Sequence, residues 1–357
     1  MLRTMNAPSR EVRIADTRSC LTAAFEQLDV ASEDAAGLAD LLVDSELRGH
    51  HDHGVTAIGI LTTLYRDGKL NPRPRVEVLS ETDGGLLLDG DRGCGPGAPT
   101  RAMQWAIEHA RVRKGVAVAA VRRWQMVVGG PYVRLAAEAG LIGFACTSFT
   151  PVVAPPGGRT AVFGTNPLAY GIPARRYPPV VFDIATTVNP MQKVRVAANE
   201  GRPLPEGVIF DKSGHPTTDP ADFFAGGLLA PLGYPLVPHK GFGLALLVDA
   251  LSGVLTGSGF GQALAGDAPG DFFWALDVET FMPREEFLQR MDTQLDQIKQ
   301  GERLPGVDEL VVPGERGERR YQELSARGVV PLSPASWEAL ATHCESLAVA
   351  LPEVIGA

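Results

Sequence analysis

Between Gly115 and Cys146 the chain alternates apolar run, helical pattern and apolar run, and nothing else in it restricts the fold as much. Gly115–Val121 has the short, continuous apolar character of a buried strand. Tyr132–Ala139 reads as a helix and Ile142–Cys146 as a second strand. Strand, helix and strand in succession are the unit of α/β architecture. The 40 glycines and 28 prolines cluster in the middle of the chain and imply many backbone turns, which excludes a helical bundle.

The flanking segments extend this pattern. The first fifty residues predict two helices, one with Leu21, Phe25 and Leu28 on a face, the other capped by Ser32 and carrying Leu38, Leu41, Leu42 and Val43. Val76–Leu88 predicts a hairpin turning through Glu81-Thr82-Asp83-Gly84. Pro99–Arg113 predicts a helix with Met103, Ala106, Ile107 and Ala110 inward. Residues 150–240 read as short strands and Gly/Pro turns, and Leu244–Leu255 as a strongly apolar, buried helix. Near the end a helix presents Phe287, Met291, Leu295 and Ile298 on one face, with an exposed charged side. A chain of 357 residues accommodates two or three subdomains, and no internal repeat or clean linker divides it.

Charge and cysteine usage exclude several functions. A formal net charge of −9 opposes a nucleic-acid partner, which requires a basic face. No run approaches the ~18 apolar residues of a membrane span. Met1–Arg10 has no hydrophobic core and so does not read as a secretory signal. Cys20, Cys94, Cys146 and Cys344 are scattered with no CxxC pair, the usage of reduced thiols in a cytoplasmic protein.

The densest chemistry lies at Arg48-Gly49-His50-His51-Asp52-His53-Gly54-Val55, where three of the seven histidines fall within four residues beside a carboxylate. Imidazoles move protons near neutral pH. The H-H-D-H spacing does not match two ligands at i and i+4 on one helix face, so no metal site is expected. Catalysis or substrate contact is one reading; a polar helix end complementing the helix dipole is the other. No G-x-G-x-x-G follows a strand. Gly93-Cys94-Gly95-Pro96-Gly97 resembles a dinucleotide turn, but it does not read as following a strand that opens a βαβ unit, and Pro96 removes an amide that a phosphate would need. There is no P-loop or G-x-S-x-G elbow either.

Several segments in order and spacing resemble the type-2 malate/L-lactate dehydrogenase family, NAD(P)-dependent oxidoreductases that include ureidoglycolate, sulfolactate and cyclic-imine members. They are Glu46-Leu47-Arg48-Gly49, His53-Gly54-Val55, Val153-Ala154-Pro155-Pro156-Gly157-Gly158, Gly164-Thr165-Asn166-Pro167 and Phe182-Asp183-Ile184-Ala185-Thr186-Thr187. Pro216-Thr217-Thr218-Asp219-Pro220, Lys240-Gly241-Phe242-Gly243-Leu244, Pro305-Gly306-Val307-Asp308 and Val312-Pro313-Gly314-Glu315 complete the series. The resemblance implies an α/β fold with a mixed-sheet dinucleotide-binding domain that is not of Rossmann type, spanning 76–302. Residues 1–75 together with 303–357 would form a helical, substrate-side and dimerisation domain. It implies a cytoplasmic homodimer acting on a small molecule, with NAD or NADP as cofactor. Phe149, Thr150, Asp183, Ile184, Ala185, Lys240, Pro313, Gly314 and Glu315 would lie along that cofactor, and Thr165 and Asn166 beside the substrate. Arg159, Arg175 and Arg176 are candidates for a 2′-phosphate contact, or plain solvated arginines.

The chain departs from the family at three positions. Met126 stands where the family has the histidine that donates or accepts a proton, and a thioether cannot relay one. Ala57 replaces an arginine that pairs with a substrate carboxylate, and Leu61 replaces a tyrosine. His53 is retained; Asp52, in place of the usual serine, can orient it or raise its pKa, and His51 is a new polar group nearby. The resemblance and its departures together imply hydride transfer to or from a C=O or C=N of a non-standard, biosynthetic substrate. In this reading His53 and Asp52 are catalytic, Lys193 binds or orients substrate, and His51, Ala57, Leu61 and Met126 line the pocket. A dinucleotide fold repurposed for a non-redox step, or for binding and regulation, is the alternative.

Overall fold

The computed structural model describes residues 9–266 and 268–356. Most of Met1–Arg10, read above as lacking a secretory signal, lies outside the described residues. The chain opens with β1 (Arg10–Arg13), α1 (Ile14–Glu26) and α2 (Ser32–Leu47). Two short 3-10 turns, His51–His53 and Val55–Ala57, lead into α3 (Ile58–Arg66). Then come β2 (Glu77–Thr82), β3 (Gly85–Asp89), α4 (Gly97–Arg113), β4 (Val116–Arg122), α5 (Gly130–Glu138), β5 (Leu141–Thr147), β6 (Leu168–Ile172) and β7 (Val180–Ile184). The middle of the chain holds α6 (Met191–Asn199), β8 (Ile209–Phe210), β9 (Pro216–Thr217), α7 (Pro220–Phe224) and β10 (Leu228–Leu229). It ends with α8 (Pro238–Asp249), β11 (Gly270–Asp277), α9 (Arg284–Lys299), α10 (Glu315–Arg327), β12 (Val329–Leu332), α11 (Pro334–Ser346) and β13 (Val354–Gly356).

Seven strands form one mixed sheet in the order β2-β3-β4-β11-β5-β6-β7, in which only β3 and β4 are parallel neighbours. The predicted β4-α5-β5 alternation is present, but β11 is inserted between its strands, antiparallel to both. That partner arrives from far along the chain, so local periodicity could not reveal it. Helices α4 and α5 cover one face through Met103, Ala106, Ile107, Val133 and Ala136, and Tyr132 meets Phe273 edge-on at 5.8 Å. A second core gathers Leu21, Phe25, Leu38, Leu42, Leu332 and Leu340, drawn from both ends of the chain, around the small sheet β12-β1-β13. The β10-β8-β9 sheet packs with α6 and α7 as a third unit.

Four local expectations are corrected. Ser32 is the first residue of α2 rather than its cap; its hydroxyl donates to Glu26 instead. The turn Gly93–Gly97 does follow a strand that opens a βαβ unit, since α4 crosses from β3 to the parallel β4. However, Trp124 and α2 fill the space beside that turn. The Trp124 indole donates to the Gly95 carbonyl at 3.0 Å, and a Cβ on Gly37 would come within 2.7 Å of Pro96. The stretch 150–240 contains α6, whose apolar face was hidden among the Gly/Pro turns. The apolar segment Leu244–Leu255 is helical, but not buried throughout: Leu246 is 53% exposed and Leu255 64%.

Two glycines let α5 sit directly on the sheet. A Cβ on Gly171 would fall 2.2 Å from the Val133 carbonyl oxygen, and one on Gly143 2.5 Å from the Ala136 methyl. Backbone cannot yield as a flexible side chain can. Gly171→Ala is therefore expected to destabilise the protein by about 1–3 kcal/mol through overpacking, read as a lowered midpoint in urea unfolding; an unchanged midpoint would contradict this packing.

Candidate active site

A cavity of about 860 Å³ opens where the segment after α2, α3, the loops after β4 and β5, the end of β7 and the start of α10 converge. Its histidine wall hangs on one buried carboxylate. Glu46, in the last turn of α2, is fully buried and accepts three hydrogen bonds: from the His51 ring at 2.6 Å, the Val55 amide at 3.0 Å and the Ser336 hydroxyl at 3.1 Å. Gly54 is required there, because a Cβ would lie 2.2 Å from the same carboxylate. Gly49, at φ +84°, turns the chain out of α2 so that the histidines can reach the site.

His53 Nδ1 lies 3.4 Å from Asp52 Oδ1, and both side chains line the cavity. Burial disfavours the imidazolium of His53, but the hydrogen bond and charge of Asp52, aided by Asp183, outweigh it and raise the pKa. Burial likewise works against the Asp52 carboxylate, yet His53 and, more weakly, Lys193 bring its pKa down to about 2. His50 also lines the cavity; crowding by protein lowers its pKa despite the pull of Asp183 and Asp52 and despite solvent reaching it through the opening. Asp183 Oδ2 accepts from the Gly129 and Gly130 amides at 3.0 and 2.7 Å, which caps the start of α5. Burial raises the Asp183 pKa against those two amides and the two histidines.

The structure brings together many of the residues singled out in the sequence. His53, Asp52, Lys193, Phe149, Thr165, Asp183, Ile184, Ala185, Pro313, Gly314, Ala57, Leu61 and Met126 all line this cavity. His51 instead faces an adjoining cavity of about 390 Å³, which shares Gly49, Asp52, Asn189 and Lys193 with the first. Asn166 is fully buried and spent on structure: it accepts from the Phe149 amide and donates to the Ala245 carbonyl, pinning the loop after β5 to α8. Glu315 accepts from Lys299, Arg319 and the Val312 amide and so braces the 312–315 turn. Gly314 in that turn sits at φ +84°, and a Cβ would meet the Val181 carbonyl at 2.8 Å.

Lys240 and Thr150 are exposed and outside the cavity lining. The glycines beside Lys240 lie in the first turns of α8, where a Cβ on Gly241 would fall 2.4 Å from the Leu232 backbone nitrogen. Arg175 and Arg176 are tied to Glu285, Asp292 and Asp296 of α9. Among the described residues no group of three His, Cys, Asp or Glu side chains could hold a metal, and no helix is long and apolar enough to cross a membrane.

Sequence reasoning missed three arginines in the walls, Arg48, Arg134 and Arg316. Arg48 pairs with Asp44 at 2.9 Å and Glu318 at 2.5 Å and stacks on Tyr321 at 4.2 Å. Arg134 lies 3.7 Å from Asp44. The i, i+4 spacing of Asp44 and Arg48 was visible in the sequence; the approach of α5 and α10 was not.

Comparison with known proteins gives concordant results. The family profile described as malate/L-lactate dehydrogenase matches residues 12–341. Malate dehydrogenase of Pyrococcus abyssi is 36% identical over 300 residues, 82% of each chain. L-sulfolactate dehydrogenase of Methanocaldococcus jannaschii is 36% identical over 303 residues, 83% of this chain and 86% of that one. The crystal structure of malate dehydrogenase from Entamoeba histolytica superposes with a TM-score of 0.89 at 26% identity, covering 97% of this chain and all of the other.

The Glu46–His51 contact raises the His51 pKa above its ordinary value, the hydrogen bond leading over an opposing burial effect. A raised folded-state pKa stabilises fully below the unfolded value near 6.5, and the gain is lost as pH rises through the folded value. Glu46→Gln should therefore lower the His51 titration midpoint followed by NMR. At pH 6 the charge-assisted bond accounts for about 1 kcal/mol of lost stability, a figure discounted because the ring is 43% exposed. That charge-dependent part of the deficit should shrink by pH 9, and an unmoved midpoint would refute the pairing.

Proposed function

Because the chain belongs to the malate/L-lactate dehydrogenase family, we propose that this oxidoreductase transfers hydride between NAD(H) or NADP(H) and a C=O or C=N carbon, with His53 as proton donor. One observation carries the reading: the His53–Asp52 pair opens into the same cavity as Phe149, the Asp183–Ala185 strand end and the Pro313–Gly314 turn. The donor set fits a dinucleotide. Arg316 and Lys193 bring cationic side chains to a cavity of ligand-binding size, as phosphates require, while Arg48 and Arg134 in the same walls are taken up by Asp44 and Glu318. The bound dinucleotide supplies or accepts the hydride.

The chain's own residues do the rest. Asp52 occupies the Nδ1 side of His53, leaving Nε2 to give its proton to the oxygen or nitrogen of the substrate. Lys193 lies in the wall with Asp52, where it orients substrate and restrains the charge on His53. Glu315 acts indirectly, by bracing the Pro313–Gly314 turn. The 76–302 stretch carries the dinucleotide side, and 1–75 with 303–357 the substrate side. Support for a substrate other than malate or lactate comes from Ala57, Leu61 and Met126, which leave apolar groups where the family has arginine, tyrosine and histidine.

We also propose a homodimer. An apolar helical face left open on a monomer marks an interface, and Leu246, Leu247, Val254 and Leu255 form such a surface along α8 and its extension. Sedimentation should give a dimer that Leu255→Asp weakens at least ten-fold; a wild-type monomer at micromolar concentration would refute it.

The decisive test is titration of the protein with NADH and NADPH, following nicotinamide fluorescence. Binding of one of them supports the oxidoreductase; binding of neither at millimolar concentration supports the repurposed fold. With a turned-over imine or carboxylate-free ketone from a panel, His53→Ala should lower kcat by about 10²–10⁴-fold at unchanged dinucleotide affinity. Asp52→Asn removes the charge that raises the His53 pKa, so the alkaline limb of the reduction profile should move to lower pH. An unmoved limb would remove His53 from the proton step.

A further inference from the structure

The cavity is not uniformly polar, and its apolar part is organised. Ile60, Leu61 and Leu64 of α3 and Ala57, the residue that leads into it, recur at i, i+3, i+4 and i+7, so they present one stripe at the start of α3, and all four line the cavity. Met126 and Val127, in the loop after β4, line the same cavity. Ala57, Leu61 and Met126 are themselves 5%, 3% and 2% exposed, whereas Ile60 is 43% exposed. Three of these side chains are therefore packed in place from behind, and one projects into open space. The stripe begins four residues after His53, across the non-helical Gly54, and lines the same cavity as the proposed proton donor.

The charged groups of the site lie on other elements. Arg48, just past the end of α2, and Arg134 of α5 are already committed to acidic partners in Asp44 and Glu318, Lys193 comes from α6 and Arg316 from the start of α10. None of the six residues of the apolar wall bears a charge or a hydrogen-bonding group that could repay the desolvation of a carboxylate.

On the basis of the oxidoreductase reading above, we infer that the substituent lying along α3, next to the reacting carbon, is an uncharged hydrocarbon group of ring size. The substrate class is thus a ketone or imine flanked by an aryl, cycloalkyl or branched alkyl group. The relatives named malate and sulfolactate dehydrogenase act on acids; in this chain the wall favours the apolar substituent over the carboxylate. Hydride from the reduced dinucleotide adds to the carbonyl or imine carbon, the π pair moves to oxygen or nitrogen, and that atom takes the proton from His53, leaving the alcohol or amine and the oxidised dinucleotide. The apolar group takes no part in the bond changes and serves only to place the carbon.

Two methyl ketones that differ only in the second substituent test this: cyclohexyl methyl ketone and pyruvate. Their affinities are measured by saturation-transfer NMR on the full-length protein, with and without saturating NADH or NADPH, so the comparison is readable even if neither dinucleotide binds. The cyclohexyl ketone is expected to bind at least ten-fold more tightly than pyruvate. Ala57→Arg should reverse the order while leaving dinucleotide affinity unchanged. Ile60→Asp, at a solvent-reached position that tolerates a polar side chain, should weaken the cyclohexyl ketone at least ten-fold and keeps the test available if the arginine variant does not fold. Equal or tighter binding of pyruvate by the wild type overturns the inference. So does an Ile60→Asp protein that becomes monomeric with an unchanged ligand ratio, which would make the stripe a subunit contact. Failure to bind either dinucleotide, with the ketone preference intact, removes the redox reading and leaves the apolar subsite standing.

Discussion

The site depends on a carboxylate that no substrate touches. Glu46 is sealed beneath the 3-10 turns that carry the histidines and is held by a ring nitrogen, a main-chain amide and a hydroxyl. A buried carboxylate is tolerable only when its oxygens are satisfied, and here the three donors come from the histidine segment itself and from α11. Satisfying Glu46 is therefore the same event as folding residues 51–55 against the last helix. The chain ends meet at this point: α2 supplies the acid, α11 the serine, and β12-β1-β13 joins the segments that bring them together.

Asp183 plays the corresponding part on the sheet side. It stands at the end of β7, accepts the first amides of α5, and adds its field to both cavity histidines. One residue thereby couples three links in the chain of causes: strand register fixes its position, the cap fixes α5 on the sheet, and its charge biases His53 toward the protonated form. The glycines at 143 and 171 belong to the same construction, since α5 could not approach closely enough to be capped from β7 if either bore a side chain.

Much of this was legible in the sequence, for reasons that differ by element. The hairpin β2-β3, the helix α4 and the strand–helix–strand of β4, α5 and β5 are continuous segments whose periodicity states their structure. The histidine wall was legible because its chemistry is concentrated in eight residues. The position of β11 was not, because pairing with strands more than a hundred residues earlier leaves no local trace. Asn166 and Lys240 were named through the family resemblance; what no local pattern showed is that the neighbouring glycines permit close backbone approach, Gly164 against Phe149 and Gly241 against Leu232, and that Asn166 ties the loop after β5 to α8. The place of the cavity arginines was not legible, because Arg48, Arg134 and Arg316 stand far apart in the chain and only the turn at Gly49 and the convergence of α5 and α10 give them a common cavity.

The electrostatics of the two histidines then bear on the loss at Met126. Two imidazoles line the cavity, and their surroundings push them apart: crowding by protein lowers the pKa of the solvent-reached His50, whereas the Asp52 contact overcomes burial at His53 and raises it. Titratable groups driven in opposite directions within one site are how a fold separates its acid from a neutral neighbour. Asp52 makes the difference, because it contacts the ring of His53 and reaches that of His50 only through its field. On the proposed reading His53 is the source of the proton, and Met126, 2% exposed in the cavity wall, adds an apolar group beside Ala57, Leu61 and Leu64. The position that the family resemblance assigns to a proton relay thus belongs, in this chain, to the hydrophobic side of the cavity.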